Sequence, residues 1–150
     1  MSTAIREYIV RNIVTAIEGI SIDNGYDVDI KKVYRIPTSA FSSMVYPYAV
    51  VIDTGETLEE GKPVNYTTCF LKIQVVFYNQ QWNNISELSI QYISAIEFAL
   101  HTDPTLGGYV VDLDVINNET FGTTETAPYG GGSVTFMVQY RHLIGNPYAQ

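Results

Sequence analysis

Two stretches of the chain repeat their apolar residues with the period of an α-helix. Between residues 3 and 20, the apolar side chains that fall on one side of a helical wheel are Ile5, Ile9, Ile13, Ala16, Ile17 and Ile20. A second stripe, from about Asn84 to His101, consists of Ile85, Leu88, Tyr92, Ala95, Ile96 and Ala99. The pattern predicts two amphipathic helices that each bury one side.

Alternation of apolar and polar residues predicts β-strands elsewhere. It is clearest over residues 66–79, where every second side chain from Thr67 to Phe77 falls on one face, so this segment is predicted to be the central strand of a sheet. Weaker patterns predict further strands over residues 27–35, 48–54, 109–117 and 133–143. Three loops of 11 to 15 residues are predicted between the elements, over residues 36–47, 55–65 and 118–132.

The order of these elements is helix, three strands, helix, two strands, without the alternation of a doubly wound sheet. Strands that follow each other with no helix between them are usually antiparallel. We therefore predict an α+β fold in one domain over residues 1–150. In it, two helices pack on one face of a mainly antiparallel sheet of four or five strands, with long loops. A length of 150 residues with 46% apolar residues is typical of one such domain.

The chain is acidic, with a net charge of −8, and the charge is unevenly distributed. Residues 1–72 contain nine acidic and seven basic residues, whereas residues 73–150 contain seven acidic residues and only Arg141 as a base. This composition argues against a conventional nucleic-acid-binding module, which needs positive charge to neutralise phosphates. Asp112 and Asp114 are placed on the polar side of the predicted strand 109–117, opposite Val111, Leu113 and Val115.

The sequence contains no pattern typical of a catalytic or metal site. Cys69, the single cysteine, falls on the apolar side of the predicted central strand, where a thiol behaves as a small hydrophobic group. His101 and His142 have no metal-ligand spacing. Residues 23–34 lack two required positions of a calcium loop, and residues 55–62 lack the spacing of a phosphate-binding loop. We therefore predict no enzyme activity, no cofactor and no metal.

The apolar segments are too short for a membrane span. The longest, such as residues 48–52, cannot cross a hydrocarbon core of about 30 Å. Charged residues stand near the start of the chain, where a signal peptide needs an apolar core, and one cysteine excludes an internal disulfide. These features predict a soluble intracellular protein without membrane contact.

Two features predict contact with other proteins. Long loops in a compact domain usually have a function, and several of the twelve tyrosines, including Tyr129, lie in or beside the predicted loops. Ile90 and Phe98 fall on the side of the second helix opposite its apolar stripe, which predicts a subunit contact. Two alternatives stay open: a loop of the same chain covers these residues, and the tyrosines are simply strand residues.

Several segments together carry a family resemblance. They are Ile5–Val14, Val33–Arg35, Tyr48–Ile52, Ala95–Leu100, Val111–Leu113, Val134–Arg141 and the turn Asp103-Pro104-Thr105-Leu106-Gly107-Gly108. Over nearly the whole chain they resemble the tail terminator proteins of long-tailed bacteriophages, which are also called tail completion or minor tail proteins. The turn and the closing strand are the most specific parts of the match.

The resemblance implies a structural subunit of the virion tail, assembled in the host cytoplasm. In that family, six copies form a ring at the head-proximal end of the tail tube. The ring stops polymerisation of the tail tube protein and presents its other face to head-completion (neck) proteins. DNA is only cargo that passes through the lumen.

DNA must pass through such a ring without binding to it. A negatively charged lining favours this passage, because it repels the phosphates and lets the polymer slide. Asp112 and Asp114 are therefore candidates for the lumen face. Two other functions stay open. One is a different neck protein, a stopper or an adaptor, and the other is a small ligand-binding or hydrolytic domain with a polar pocket.

Overall fold

The computed structural model describes residues 3–35, 45–80, 85–121 and 130–150. They form two helices, α1 (Ile5–Glu18) and α2 (Ile85–Thr102), and five strands: β1 (Lys32–Arg35), β2 (Tyr48–Glu60), β3 (Tyr66–Asn79), β4 (Val110–Phe121) and β5 (Gly130–Leu143). This confirms the predicted α+β class. Neither of the described helices combines the length and apolar character that crossing a bilayer requires.

The five strands form one sheet in the order β1-β2-β3-β5-β4. All neighbouring pairs are antiparallel except β1 and β2, which run parallel. β3 pairs with β5 along its whole length, from Tyr66 opposite Leu143 to Asn79 opposite Gly130. Its position between β2 and β5 confirms the central strand that the alternation over residues 66–79 predicts.

Both helices pack on the same face of the sheet, and the core lies between them and the strands. α1 contacts β1 and β2, whereas α2 contacts β4 and β5. The fully buried side chains include Ile9 and Ile13 of α1, Ile96 of α2, Ile73 of β3 and Phe136 of β5. The apolar stripes of the helices thus meet the apolar side of the strands, which is the reason for this layer order.

No described helix packs on the opposite face of the sheet, which we call the open face. Lys72 and Gln74 of β3 and Met137 and Gln139 of β5 lie on it, since they alternate with the core residues of their strands. The middle of the open face therefore carries the polar positions that the alternation of β3 predicts, whereas Tyr48 and Val50 form a small apolar cluster near β1.

Several strand ends differ from the predictions. β2 continues through most of the predicted loop 55–65, because its pairing with β3 extends as far as Glu60 opposite Thr67. β4 and β5 take up both ends of the predicted loop 118–132, while residues 36–44 and 122–129 lie outside the described residues. The predicted strand 27–35 shrinks to β1, because Ile30 bonds instead to the end of the α1 segment, at Ile20.

Two bulges change the pattern of β4. The register shifts between Val110 and Asp112 and again between Val115 and Asn117. Val110 is buried and Val111 is exposed, so the prediction that Val111 shares the buried side with Leu113 is wrong. A bulge adds one residue to a strand and reverses the alternation that follows, which the apolar pattern alone does not reveal.

β2 contains a third irregularity, between Asp53 and Gly55. Gly55 has a φ of +116°, a left-handed conformation that glycine adopts without steric cost. The bulge lets β2 stay paired with β3 on both sides of it, so the predicted break at Gly55 is a local kink within one strand.

Candidate functional site

Acidic side chains follow the β4 edge of the open face. Asp112 and Asp114 are exposed there, opposite Gln139 and Met137 of β5, which confirms that they belong to the polar side of the strand. Glu119 lies on the same face and is also exposed. We call Asp112, Asp114 and Glu119 the acidic row. None of the three forms an ion pair with another described residue.

Sequence reasoning missed Glu119 because it assigned residues 118–132 to a loop. The strand continues to Phe121, and alternation after the second bulge places Glu119 on the open face, opposite Ser133. The residues between the start of that loop and Gly130 show no apolar alternation that could have revealed this. Pairing with β5 decides it instead.

The side of α2 that points away from the sheet forms one wall of a groove of about 600 Å³. Ile90 and Phe98 line it and are 58% and 69% exposed, and the segment Asn24–Asp27 forms the other wall. The Phe98 ring packs edge-on against Tyr26, with ring centroids 6.0 Å apart. A segment of the same chain therefore covers part of Phe98 and leaves most of it exposed.

The structure thus brings Ile90 and Phe98 together on one surface, whereas Tyr129 lies outside the described residues. The acidic row and this groove face in opposite directions. α2 turns Ile96 towards the core and the groove residues away from it, while the acidic row points outward from the far side of the sheet. The domain has two distinct exposed surfaces.

Four tyrosines pack on one another at one end of the open face. Tyr48 is buried there, with its ring 5.6 Å from Tyr34, 4.9 Å from Tyr46 and 5.0 Å from Tyr78. These rings contribute to packing within the domain. For Tyr46 and Tyr48, a role in the domain's own structure therefore accounts for the enrichment in tyrosine.

The turn after α2 is organised by Asp103. Its carboxylate accepts hydrogen bonds from the Thr105 hydroxyl at 2.7 Å and the Gly107 N–H at 2.9 Å. These bonds lower the pKa of Asp103 below its ordinary value, and the hydrogen bond from Thr105 has the largest effect. The side chain of Asn12 in α1 donates to the Leu106 carbonyl at 2.8 Å. The turn therefore ties both helices to the start of β4.

A partly buried polar cluster joins α1 to the sheet. Arg6 Nε donates to Asp53 at 2.7 Å, and Arg6 Nη1 lies 3.4 Å from Glu56. Glu56 in turn accepts a hydrogen bond of 2.6 Å from the Tyr140 hydroxyl. The hydrogen bond to Asp53 outweighs desolvation and raises the pKa of Arg6. Sequence reasoning missed the cluster because it placed Glu56 in a loop and found no spacing that relates these four residues.

The cluster does not have the properties of a nucleophilic site. Burial raises the pKa of the neighbouring Cys69 thiol to about 11, so the thiolate is scarce at neutral pH. Burial, and then Glu56, raise the pKa of Tyr140 well above its ordinary value. His101 and His142 each place Nδ1 2.8 Å from a backbone carbonyl oxygen.

Within the described ranges, no cysteine or hydroxyl nucleophile is paired with a histidine. The same ranges contain no group of three or more His, Cys, Asp or Glu side chains placed to hold a metal ion. The described residues present two exposed surfaces: the acidic row at the β4 edge of the open face, and the apolar groove beside α2. The arrangement is suited to contacts between macromolecules.

No protein-family model and no curated protein matches this chain. Among solved structures, the chain is similar to one in a structure titled "Virion of native gene transfer agent (GTA) particle". The identity is 10%, the TM-score is 0.40, and the match covers 92% of each chain. A similarity at this level supports no conclusion about function.

Proposed function

We propose that this protein is a structural virion subunit that forms a hexameric ring at the head-proximal end of a phage tail tube. In this proposal the ring stops polymerisation of the tube protein and binds head-completion proteins. DNA passes through the lumen as cargo only. The observation that carries the proposal is the acidic row, a line of exposed carboxylates that form no ion pair with a described residue, on the face that no described helix covers.

A row of negative charge is suited to the lining of a channel for DNA. Phosphates are repelled by it, so the polymer is not retained, whereas a basic lining would bind it in a salt-dependent manner. The charge of the C-terminal half supports this assignment, since Arg141 is its only base. We therefore assign Asp112 and Asp114 to the lumen and extend that assignment to Glu119.

A closed ring needs heterologous contacts, in which each subunit uses two different surfaces. The groove beside α2 supplies an apolar surface of this kind, and we assign Ile90 and Phe98 to a subunit contact, together with Tyr129. The resemblance of the Asp103–Gly108 turn and the closing strand to tail terminator proteins is consistent with such a ring.

The proposal is tested by measuring the mass of the purified protein and by imaging it. Six copies of 16.8 kDa give about 100 kDa by light scattering, and negative-stain images are expected to show a six-fold ring. Added to polymerising cognate tail tube protein, the ring is expected to stop growth. A compact monomer contradicts the proposal, and a ring that binds neck proteins without stopping tube growth identifies a stopper or adaptor.

Phe98→Asp is expected to weaken self-association about tenfold or more, because it places a charge in an apolar contact. Light scattering over a concentration series measures the change. Val64→Asp is the matched control, since Val64 is also a strongly exposed apolar residue but lies in the turn between β2 and β3. An unchanged mass for Phe98→Asp would exclude the groove as a subunit contact.

Replacing Asp112 and Asp114 together by lysine is expected to create binding of duplex DNA at low salt. Each replacement exchanges a negative charge for a positive one on the proposed lumen face of every subunit. Fluorescence anisotropy of a labelled duplex measures the binding, and the affinity is expected to fall steeply as salt rises. Glu18→Lys with Asp23→Lys is the control, with the same charge change on exposed positions around the end of α1. Equal DNA binding by both variants would contradict the lumen assignment.

A further inference from the structure

The two outer edges of the sheet carry opposite charge. β1, at one edge, contains Lys32 and Arg35, and β4, at the other edge, carries the acidic row. Lys32 is exposed and has no ion pair with a described residue, while Arg35 bonds to Glu7 of α1 at 2.9 Å. Opposite charges on opposite edges favour head-to-tail contact between copies, because each copy then offers both signs.

The register places the two charged edges at the same level of the sheet. The pairing of neighbouring strands defines rows that cross all five of them. On the open face, one row runs Lys32, Tyr48, Tyr78, Gly131 and Phe121, and the next runs Tyr34, Val50, Val76, Ser133 and Glu119. β1 is therefore level with residues 118–121 of β4.

At each edge, this part of the strand is free of bulges. The bulges of β4 lie between Val110 and Asp112 and between Val115 and Asn117, and the pairing from there to Phe121 is unbroken. At the other edge, the part of β2 that extends beyond β1 contains the Gly55 bulge. Bulges bend a strand and protect a free edge from pairing. Among the described edge residues, β1 and residues 117–121 are therefore stretches that no bulge interrupts.

We propose that β1 of one copy pairs with residues 117–121 of β4 in the next copy, so that the sheet continues across the subunit boundary. This inference rests on the proposed ring and names the contact that closes it. β1 runs parallel to β2, and three antiparallel pairings separate β2 from β4, so β1 and β4 of neighbouring copies meet antiparallel. The outer backbone groups of both strands, which no described strand pairs, then bond to each other.

Charges match on both faces of this contact. On the open face, Lys32 of one copy comes within reach of Glu119 of the next, since they lie one row apart. On the helix face, Arg35 comes level with Asn118, whose side chain donates to Glu97 of α2 at 3.1 Å. The charge pairing therefore selects one edge for the other and disfavours pairing between two acidic β4 edges.

The proposed contact also explains why Ile90, one of the groove residues, is exposed. Ile90 precedes Glu97 by seven residues, or two helical turns, so both lie on the side of α2 nearest β4. In the proposed assembly, exposed Ile90 borders the neighbouring copy. Phe98 lies beside the segment Asn24–Asp27, and its part in the subunit contact is tested separately by Phe98→Asp.

A charge exchange tests the contact. Lys32→Glu and Glu119→Lys are each expected to weaken self-association about tenfold or more, because each variant places like charges opposite each other. An equimolar mixture of the two variants is expected to recover assembly. Around a ring with an even number of subunits, alternation of the two variants places one acidic and one basic side chain opposite each other at every boundary. Light scattering of the full chain, alone and mixed, measures this, with circular dichroism confirming that each variant is folded.

Lys62→Glu and Glu60→Lys are the matched controls, with the same charge changes at exposed positions around the turn between β2 and β3. Both are expected to assemble like the wild type. If the wild type forms a ring, two results overturn the edge contact and leave the ring in place. One is that either edge variant assembles as well as the wild type. The other is that a mixture of the two folded variants does not recover assembly. If the wild type forms open chains that show the loss and recovery, the contact is supported and the hexameric ring is overturned. A monomeric wild type overturns both.

Discussion

Replacing Gly131 with alanine is expected to lower the free energy of unfolding by about 3 kcal/mol. The new methyl carbon would lie 1.9 Å from the carbonyl oxygen of Phe77 in β3. That oxygen belongs to the backbone of the central strand, so it cannot rotate away as a side chain would. β3 and β5 must therefore separate locally, and the hydrogen bonds between them at this row are lengthened or lost.

Urea unfolding followed by circular dichroism measures the lower stability of Gly131→Ala. The expected result is a lower urea concentration at the midpoint, with an unchanged dependence of the free energy on urea. Gly19→Ala is the control. Gly19 follows α1 with a φ of −77°, and its added methyl carbon would come no closer than 3.4 Å to another atom. Alanine fits there and restricts the unfolded chain, so this variant is expected to lose no stability. A wild-type midpoint for Gly131→Ala would contradict the close approach of the two strands.

Arg6→Ala is expected to lower the free energy of unfolding by about 2 kcal/mol. The change leaves the side chains of Asp53 and Glu56, which are 20% and 15% exposed, close together without a cation. Removing one partner of a buried charge cluster costs more than the intact cluster contributes. Arg6 itself is 36% exposed, so solvent screening keeps the loss below that of a fully buried pair.

Arg11→Ala is the matched control in the same helix. Arg11 is 60% exposed and bonds to Glu7 at 2.8 Å in an i,i+4 pair, so its loss is expected to cost less than about 0.5 kcal/mol. Arg6→Lys keeps the charge without the planar guanidinium that bonds both oxygens of Asp53, and an intermediate loss is expected. Equal losses for Arg6→Ala and Arg11→Ala in urea unfolding would show that the cluster does not anchor α1.

Elements whose apolar pattern is local follow from the amino-acid sequence alone. α1, α2 and β3 appear where their apolar periods predict them, and β5 buries the alternating residues Val134, Phe136 and Val138 within the strand predicted over residues 133–143. The reason is physical: a helix or strand covered on one side by the core must repeat its apolar residues with its own period. The exposure of Ile90 and Phe98, on the other side of α2, follows from the same period.

Which residues meet across the sheet depends on strand pairing and cannot be derived from the pattern of any one strand. Pairing with β3 extends β2 past Gly55 and so brings Glu56 to Tyr140, eighty-four residues away. Pairing with β5 extends β4 to Phe121 and adds Glu119 to the acidic row. Strand order places basic β1 and acidic β4 on opposite edges of the sheet. The register of the strands aligns β1 with residues 118–121 of β4. Such features depend on register and bulges, which arise from contacts between strands distant in sequence and leave no period within any one of them.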